Sequence, residues 1–148
     1  MCFSQCQNAY ITEVLADPLI TPDSESEFVE IYLPDQSQNC VYFLYLDNEI
    51  IFQRRGQDKA DFIITQGKTR TLPNGKELFL SLNYIHSFDI SETVQQGDSL
   101  FSIPKDTLQA DETIVPQAQA GESWERKFTQ GQPSNWILNT LHKATPRE

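Results

Sequence analysis

An all-β sandwich is the fold class this sequence predicts, and three observations point to it. Apolar and aromatic segments of about four to eight residues recur along the chain, each followed by a cluster of turn-forming residues. Within them, apolar positions tend to alternate with others at a period of two, the spacing that puts one face of a strand inward. No segment carries a sustained apolar stripe at i, i+3, i+4 spacing, which a packed helix requires.

Residues 10–15 read as the first strand, stopped by Asp17-Pro18. The stretch Thr21-Pro22-Asp23-Ser24-Glu25-Ser26 is a polar turn. Phe28 to Leu33 is a second strand, with Val29, Ile31 and Leu33 on one face and Phe28, Glu30 and Tyr32 on the other, closed by Pro34-Asp35-Gln36-Ser37. Cys40 to Leu46 is continuously apolar and aromatic, the composition of a strand in the middle of a sheet. Asp47-Asn48 turns the chain, Glu49 to Gln53 returns, and Arg54-Arg55-Gly56-Gln57-Asp58-Lys59 reads as a polar loop before Phe62-Ile63-Ile64. The Asn74-Gly75 pair is the strongest turn signal and leads into a strand from Leu78 to Leu82. Gln96-Gly97-Asp98 is the next turn, Asp98 to Ile103 the next strand, and Asp111 to Val115 is expected to end the sandwich proper. Asn135 to Asn139 is expected to form a single helical turn, and residues 144–148 to fray.

With 148 residues, 39% hydrophobic and 11% aromatic, the chain has the length and composition of one domain with its own core. No apolar run approaches the ~20 residues that span a bilayer. Residues 1–8 read as a flexible N-terminal tether and 9–148 as a single domain. The formal charge of −10 is uneven: no Lys or Arg precedes Arg54, whereas Arg126, Lys127, Lys143 and Arg147 outnumber Glu125 and Glu148 after Trp124. An acidic surface repels phosphate backbones, so nucleic acid is not the expected partner. The simplest reading of the charge is a soluble, self-repelling surface.

Cys2, Cys6 and Cys40 match no paired metal-ligand spacing. In an oxidising compartment Cys6 or Cys2 is placed to pair with Cys40, leaving one thiol over. Cys2, followed by polar residues, is also a candidate lipid anchor, with Met1 as an added start; the simpler reading is an ordinary cysteine at a frayed end. Asp17, Asp23, Glu25 and Glu27 lie in one polar turn with no basic neighbour, and Glu30 follows them. Calcium takes six to eight oxygens from such groups, so this is the candidate metal site, although the spacing is not that of an EF-hand. The simpler reading is a solvated turn. Glu13 falls, by alternation, on the face of Ile11 and Leu15; a charge turned inward needs a partner, and Arg126 is the expected one. Trp124 and Trp136 are candidates for stacking a carbohydrate, or more simply for anchoring the C-terminal segment. His86 and His142 neighbour no nucleophile elbow, and no phosphate loop, dinucleotide fingerprint or His-Glu-x-x-His element occurs, so no catalytic residues are assigned.

Read in order, Ile11-Thr12-Glu13-Val14-Leu15-Ala16-Asp17-Pro18, Glu27-Phe28-Val29-Glu30-Ile31-Tyr32, Leu72-Pro73-Asn74-Gly75-Lys76-Glu77-Leu78-Phe79-Leu80, Gly97-Asp98-Ser99-Leu100, Gly121-Glu122-Ser123-Trp124-Glu125-Arg126, Pro133-Ser134-Asn135-Trp136 and Ala144-Thr145-Pro146 resemble the bacterial branch of the lamin tail domain. The resemblance covers about residues 9–147. It departs at Tyr42-Phe43-Leu44-Tyr45, where that branch commonly carries Leu-Ser-Gly-Trp, and at Arg147, which replaces a terminal Gly.

The resemblance implies an immunoglobulin-like β-sandwich with a C-terminal extension packed along it, acting as a binding and scaffolding module rather than an enzyme. The expected role is a non-catalytic interaction module of an exported bacterial protein. It would sit in the periplasm, outer membrane or cell surface, lipid-anchored through Cys2, and bind a protein or a surface polymer. Two alternatives stand beside it: a calcium-binding accessory domain that positions a partner hydrolase, and a nuclear lamin-type tail that binds chromatin or lamina proteins. The acidic charge and the absence of a heptad-bearing rod argue against the nuclear one.

Overall fold

Period-two patterning is realised as strands through most of the described residues. The computed structural model describes residues 6–17, 27–34, 40–56, 61–65, 72–86, 107–129 and 132–139. After a 3-10 turn at Cys6–Asn8 come β1 (Tyr10–Leu15), β2 (Phe28–Leu33), β3 (Cys40–Leu46), β4 (Glu49–Arg55), β5 (Asp61–Ile64), β6 (Leu78–His86) and β7 (Leu108–Val115). Four short strands follow: β8 (Ser123–Glu125), β9 (Phe128–Thr129), β10 (Gln132–Pro133) and β11 (Ile137–Asn139).

Two antiparallel sheets form, in the orders β11-β8-β1-β2-β5 and β4-β3-β6-β7, with β9-β10 as a separate ribbon. They pack as an all-β sandwich. Ile11, Val14, Val29, Ile31, Leu33 and Ile63 of the first sheet share one buried cluster with Tyr42, Leu44, Leu46, Leu80, Leu82, Tyr84 and Val115 of the second. The opposite face of the second sheet buries a smaller group, Val41, Phe43, Ile50 and Ile85, which accounts for the unbroken apolar run of β3. β3 is an interior strand, paired with β4 and β6. Asp47 and Asn48 both have positive φ, 49° and 71°, as a two-residue hairpin turn with right-handed strand twist demands. Gly75 has φ 70° in the turn that feeds β6, a conformation that favours glycine.

Several elements differ from expectation for identifiable reasons. β4 runs through Arg54 and Arg55, because pairing with Tyr42 and Val41 of β3 satisfies their backbone. β6 extends to His86 and β7 starts at Leu108 for the same reason. The sandwich does not end at Val115: β8 and β11 are added to the first sheet outside β1. Residues 137–139, expected in a helical turn, are extended as β11, since β8 offers them hydrogen-bond partners. Cys6–Asn8, assigned to a tether, belongs to the packed body, for Cys6 is buried and bonded to Cys40. The expected strand at 98–103 and the C-terminal residues 144–148 lie outside the described residues. No helix among the described residues is long and apolar enough to cross a membrane.

Candidate functional site

The side of the sandwich where β7 meets the C-terminal segment carries a buried polar cluster. Arg126, just past β8, is buried and forms an ion pair with Asp111 of β7. Its Nε donates to the Ile11 carbonyl at 2.9 Å, and its backbone N–H donates to the Thr12 carbonyl at 3.0 Å. Asp111 also accepts the Ile11 N–H at 2.8 Å. The guanidinium lies between two aromatic faces, 5.0 Å from the Phe128 ring and 4.7 Å from the Trp136 ring, where the ring quadrupoles attract a cation. Burial raises the Asp111 carboxyl and lowers the Arg126 guanidinium from their ordinary values, and each is partly restored by the other's charge.

Arg126 therefore ties the C-terminal segment to the first strand, but not by pairing with Glu13. A bulge between Ile11 and Glu13 reverses the alternation, so Glu13 sits opposite Glu30 of β2 rather than on the core face with Ile11. Glu13 is nonetheless buried. It accepts hydrogen bonds from Ser123 Oγ at 2.8 Å and Asn139 Nδ2 at 3.5 Å. Asn139 also donates to Glu125 at 3.3 Å. Glu30 is buried too and accepts the Thr12 hydroxyl at 2.8 Å. Besides the pairing of β8 with β1, two side-chain clusters thus hold the extension, Arg126 on β1 and β7, and Ser123 with Asn139 on Glu13.

Both tryptophans are half-buried against the main core. Trp136 Nε1 donates to Thr113 of β7 at 3.1 Å, and Trp124 Nε1 to the Gln117 carbonyl at 3.2 Å. They act here as anchors whose polar tips are satisfied. A row of half-buried aromatics continues across the first sheet: Phe128 stacks on Tyr10 at 3.9 Å between centroids, Tyr10 neighbours Tyr32 at 6.2 Å, and Tyr32 meets Phe62 at 5.4 Å.

Beside this closure, both sheets present an edge. β7 ends one sheet and β11 the other, and the Trp136–Thr113 bond brings them to the same side of the sandwich. Leu108 and Ile114 of β7 and Ile137 and Leu138 of β11 are the exposed large hydrophobic side chains among the described residues. Leu108 precedes the strand expected at 111–115, and Ile137 and Leu138 fall in an expected helical turn; Ile114 lies inside the expected strand, but alternation does not show that it faces solvent at a sheet edge.

Of the expected calcium ligands, Asp23 and Glu25, like the expected anchor Cys2, lie outside the described residues. Asp17 is half-buried, and its carbonyl accepts the Gly121 N–H at 2.6 Å. Glu27 is buried, and its Oε1 accepts the Leu72 N–H at 2.7 Å, so one of its oxygens is committed to the fold. A different group does converge: the ligand atoms of Cys6, Cys40 and His86 lie within 4.8 Å of one another. Cys6 and Cys40 are disulfide-bonded across 34 residues, and Cys40 and His86 are direct partners in the β3–β6 register. Spacing along the chain conceals this group. It becomes visible only when a strand beginning at Cys40 is paired with one ending at His86.

No protein-family model matches the chain, and neither a curated protein nor a solved structure matches it.

Proposed function

We propose that the chain is an immunoglobulin-like sandwich of the lamin-tail type. It serves as a non-catalytic interaction module of an exported bacterial protein, tethered at the membrane through Cys2, and it binds an extended segment of a protein partner along the β7–β11 side. The strand order supports the fold type: β1-β2-β5 runs as A-B-E and β4-β3-β6-β7 as C′-C-F-G of an immunoglobulin-like sandwich. The observation that carries the binding role is the paired edge, where four large apolar side chains are exposed on strands that end their sheets. An open sheet edge offers backbone donors and acceptors to an added strand, and alternating side chains then set specificity. The net charge of −10 and the exposed Glu112 on β7 favour a partner that is basic between its apolar positions.

Panning a displayed library of random peptides against the folded domain tests this reading. Peptides with alternating apolar and basic residues are expected, and Ile114→Lys or Ile137→Lys should weaken them tenfold or more. Enrichment of no such pattern, or binding indifferent to both substitutions, refutes it.

A further inference from the structure

We infer that Cys6, Cys40 and His86 form a second, exchangeable clamp: when the Cys6–Cys40 disulfide is reduced, the two thiolates and the imidazole bind a zinc-like divalent ion. This goes beyond the binding role proposed above and does not depend on it.

The argument is geometric. A tetrahedral zinc ion with Zn–S of about 2.3 Å and Zn–N of about 2.0 Å sets its ligands roughly 3.5 to 3.8 Å apart. The three ligand atoms here already lie within 4.8 Å of one another, so small side-chain rotations suffice. Rigid neighbours position all three. Cys40 opens β3 and His86 closes β6 as its direct partner, and the Tyr42 hydroxyl donates to the Cys6 carbonyl at 3.1 Å, fixing the turn that carries Cys6. His86 packs edge-on against the Tyr84 ring, 6.0 Å between centroids.

Charge favours the ion as well. Cys6 and Cys40 are fully buried, where two bare thiolates would be costly; a divalent cation cancels both charges. Three protein ligands leave the fourth position to water. In this respect the set is that of an open site rather than a closed four-ligand structural one.

The exchange balances with a dithiol reductant. Its thiolate attacks one sulfur of the bridge, two electrons pass to the Cys6–Cys40 bond, and the reductant leaves as its own disulfide while its two protons end on the cysteine sulfurs. Zinc then displaces those two protons to solvent as it binds. Either cross-link joins the N-terminal turn to the same end of the second sheet.

Cobalt(II) is the spectroscopic stand-in for zinc. The full chain with Cys2→Ser is reduced with a dithiol under anaerobic conditions, freed of reductant, and checked for its β-sheet circular dichroism. Titrated cobalt should then give thiolate-to-metal charge transfer and intense tetrahedral bands, displaced by one equivalent of zinc. The oxidised protein should give neither. His86→Ala should lower affinity at least tenfold while the oxidised variant keeps the wild-type melting temperature. The inference is overturned if the reduced, folded protein shows no charge transfer, if oxidation leaves the uptake unchanged, or if His86→Ala binds as tightly as the parent.

Discussion

Replacing Arg126 by Met removes the charge that faces Asp111 while keeping the length of the apolar stem. The side chains of Arg126 and Asp111 are only 6% and 11% exposed, so water repays little of what is lost. Breaking a buried pair by removing one partner costs about 3–5 kcal/mol. The Ile11 N–H still donates to Asp111, and this places the expected loss at the lower end, about 3 kcal/mol. For a domain of this size that corresponds to a fall in Tm of roughly 6–12 °C. The loss also depends on pH. Burial raises the Asp111 carboxyl despite the opposing charge of Arg126, and without Arg126 it rises further. A carboxyl raised on folding favours the folded state below its unfolded value, near 3.9, and that contribution is lost as pH climbs through the folded value. The deficit of Arg126→Met should therefore be largest at neutral pH and shrink toward about pH 4. Urea unfolding followed by circular dichroism across that range measures it. A deficit under 1 kcal/mol, or one that does not change with pH, refutes the reasoning.

Two further outcomes follow from the packing. Replacing Cys6 and Cys40 together by Ser opens a cross-link spanning 34 residues and should cost about 4 kcal/mol of loop entropy in metal-free, non-reducing buffer; a urea midpoint like that of the parent would contradict this. Glu27→Ala strips the buried Leu72 N–H of its acceptor and should cost about 1–3 kcal/mol in urea unfolding, with Glu27→Gln milder; a melt of EDTA-treated protein with added calcium tests the acidic turn itself, where a saturable rise would assign it a cation site and no shift would deny it one.

How far the fold was legible depended on where its information lay. β1, β2 and β3 were readable because apolar periodicity and turn residues agree there, and Val29, Ile31 and Leu33 enter the core as alternation requires. Strand ends were less so: Arg54, Arg55 and His86 look like loop residues, and only cross-strand pairing keeps them extended. The bulge after Ile11 has no signature in Thr12-Glu13, yet it decides which way Glu13 faces and hence that its partners are Ser123 and Asn139. Asp111 read as a strand-starting acid. Its role as the counter-ion of Arg126 depends on two sheets meeting, which no local pattern encodes. β11 is not legible in the sequence, because three residues carry too little periodicity to choose between turn and strand.

The N-terminal segment joins the Cys6–Cys40 bridge to the buried Arg126–Asp111 pair. Besides the Tyr42 bond to the Cys6 carbonyl and the pairing of β1 with β2, the segment from Cys6 to Ile11 is fastened by the bridge to Cys40 of β3 and by the bonds that Ile11 makes to Asp111 of β7 and to Arg126. Each fastening holds the segment while the other is open. Reduction alone should therefore leave the sandwich folded with its thiols near His86, as metal exchange needs, and Arg126→Met alone should leave it folded through the bridge. Both together remove the bridge and the Arg126 bond to the Ile11 carbonyl, leaving the Tyr42 bond to Cys6, the Ile11–Asp111 bond and the pairing with β2 to hold the segment. Their combined cost should exceed the sum of the separate costs by about 0.5–3 kcal/mol, the range for contacts that share a structural element. Urea unfolding of the parent and of Arg126→Met, each oxidised and reduced without metal, closes this cycle. Simple additivity would mean that the two fastenings hold independent parts, with the Tyr42 bond to Cys6 and the β2 pairing sufficient to keep the reduced segment in place.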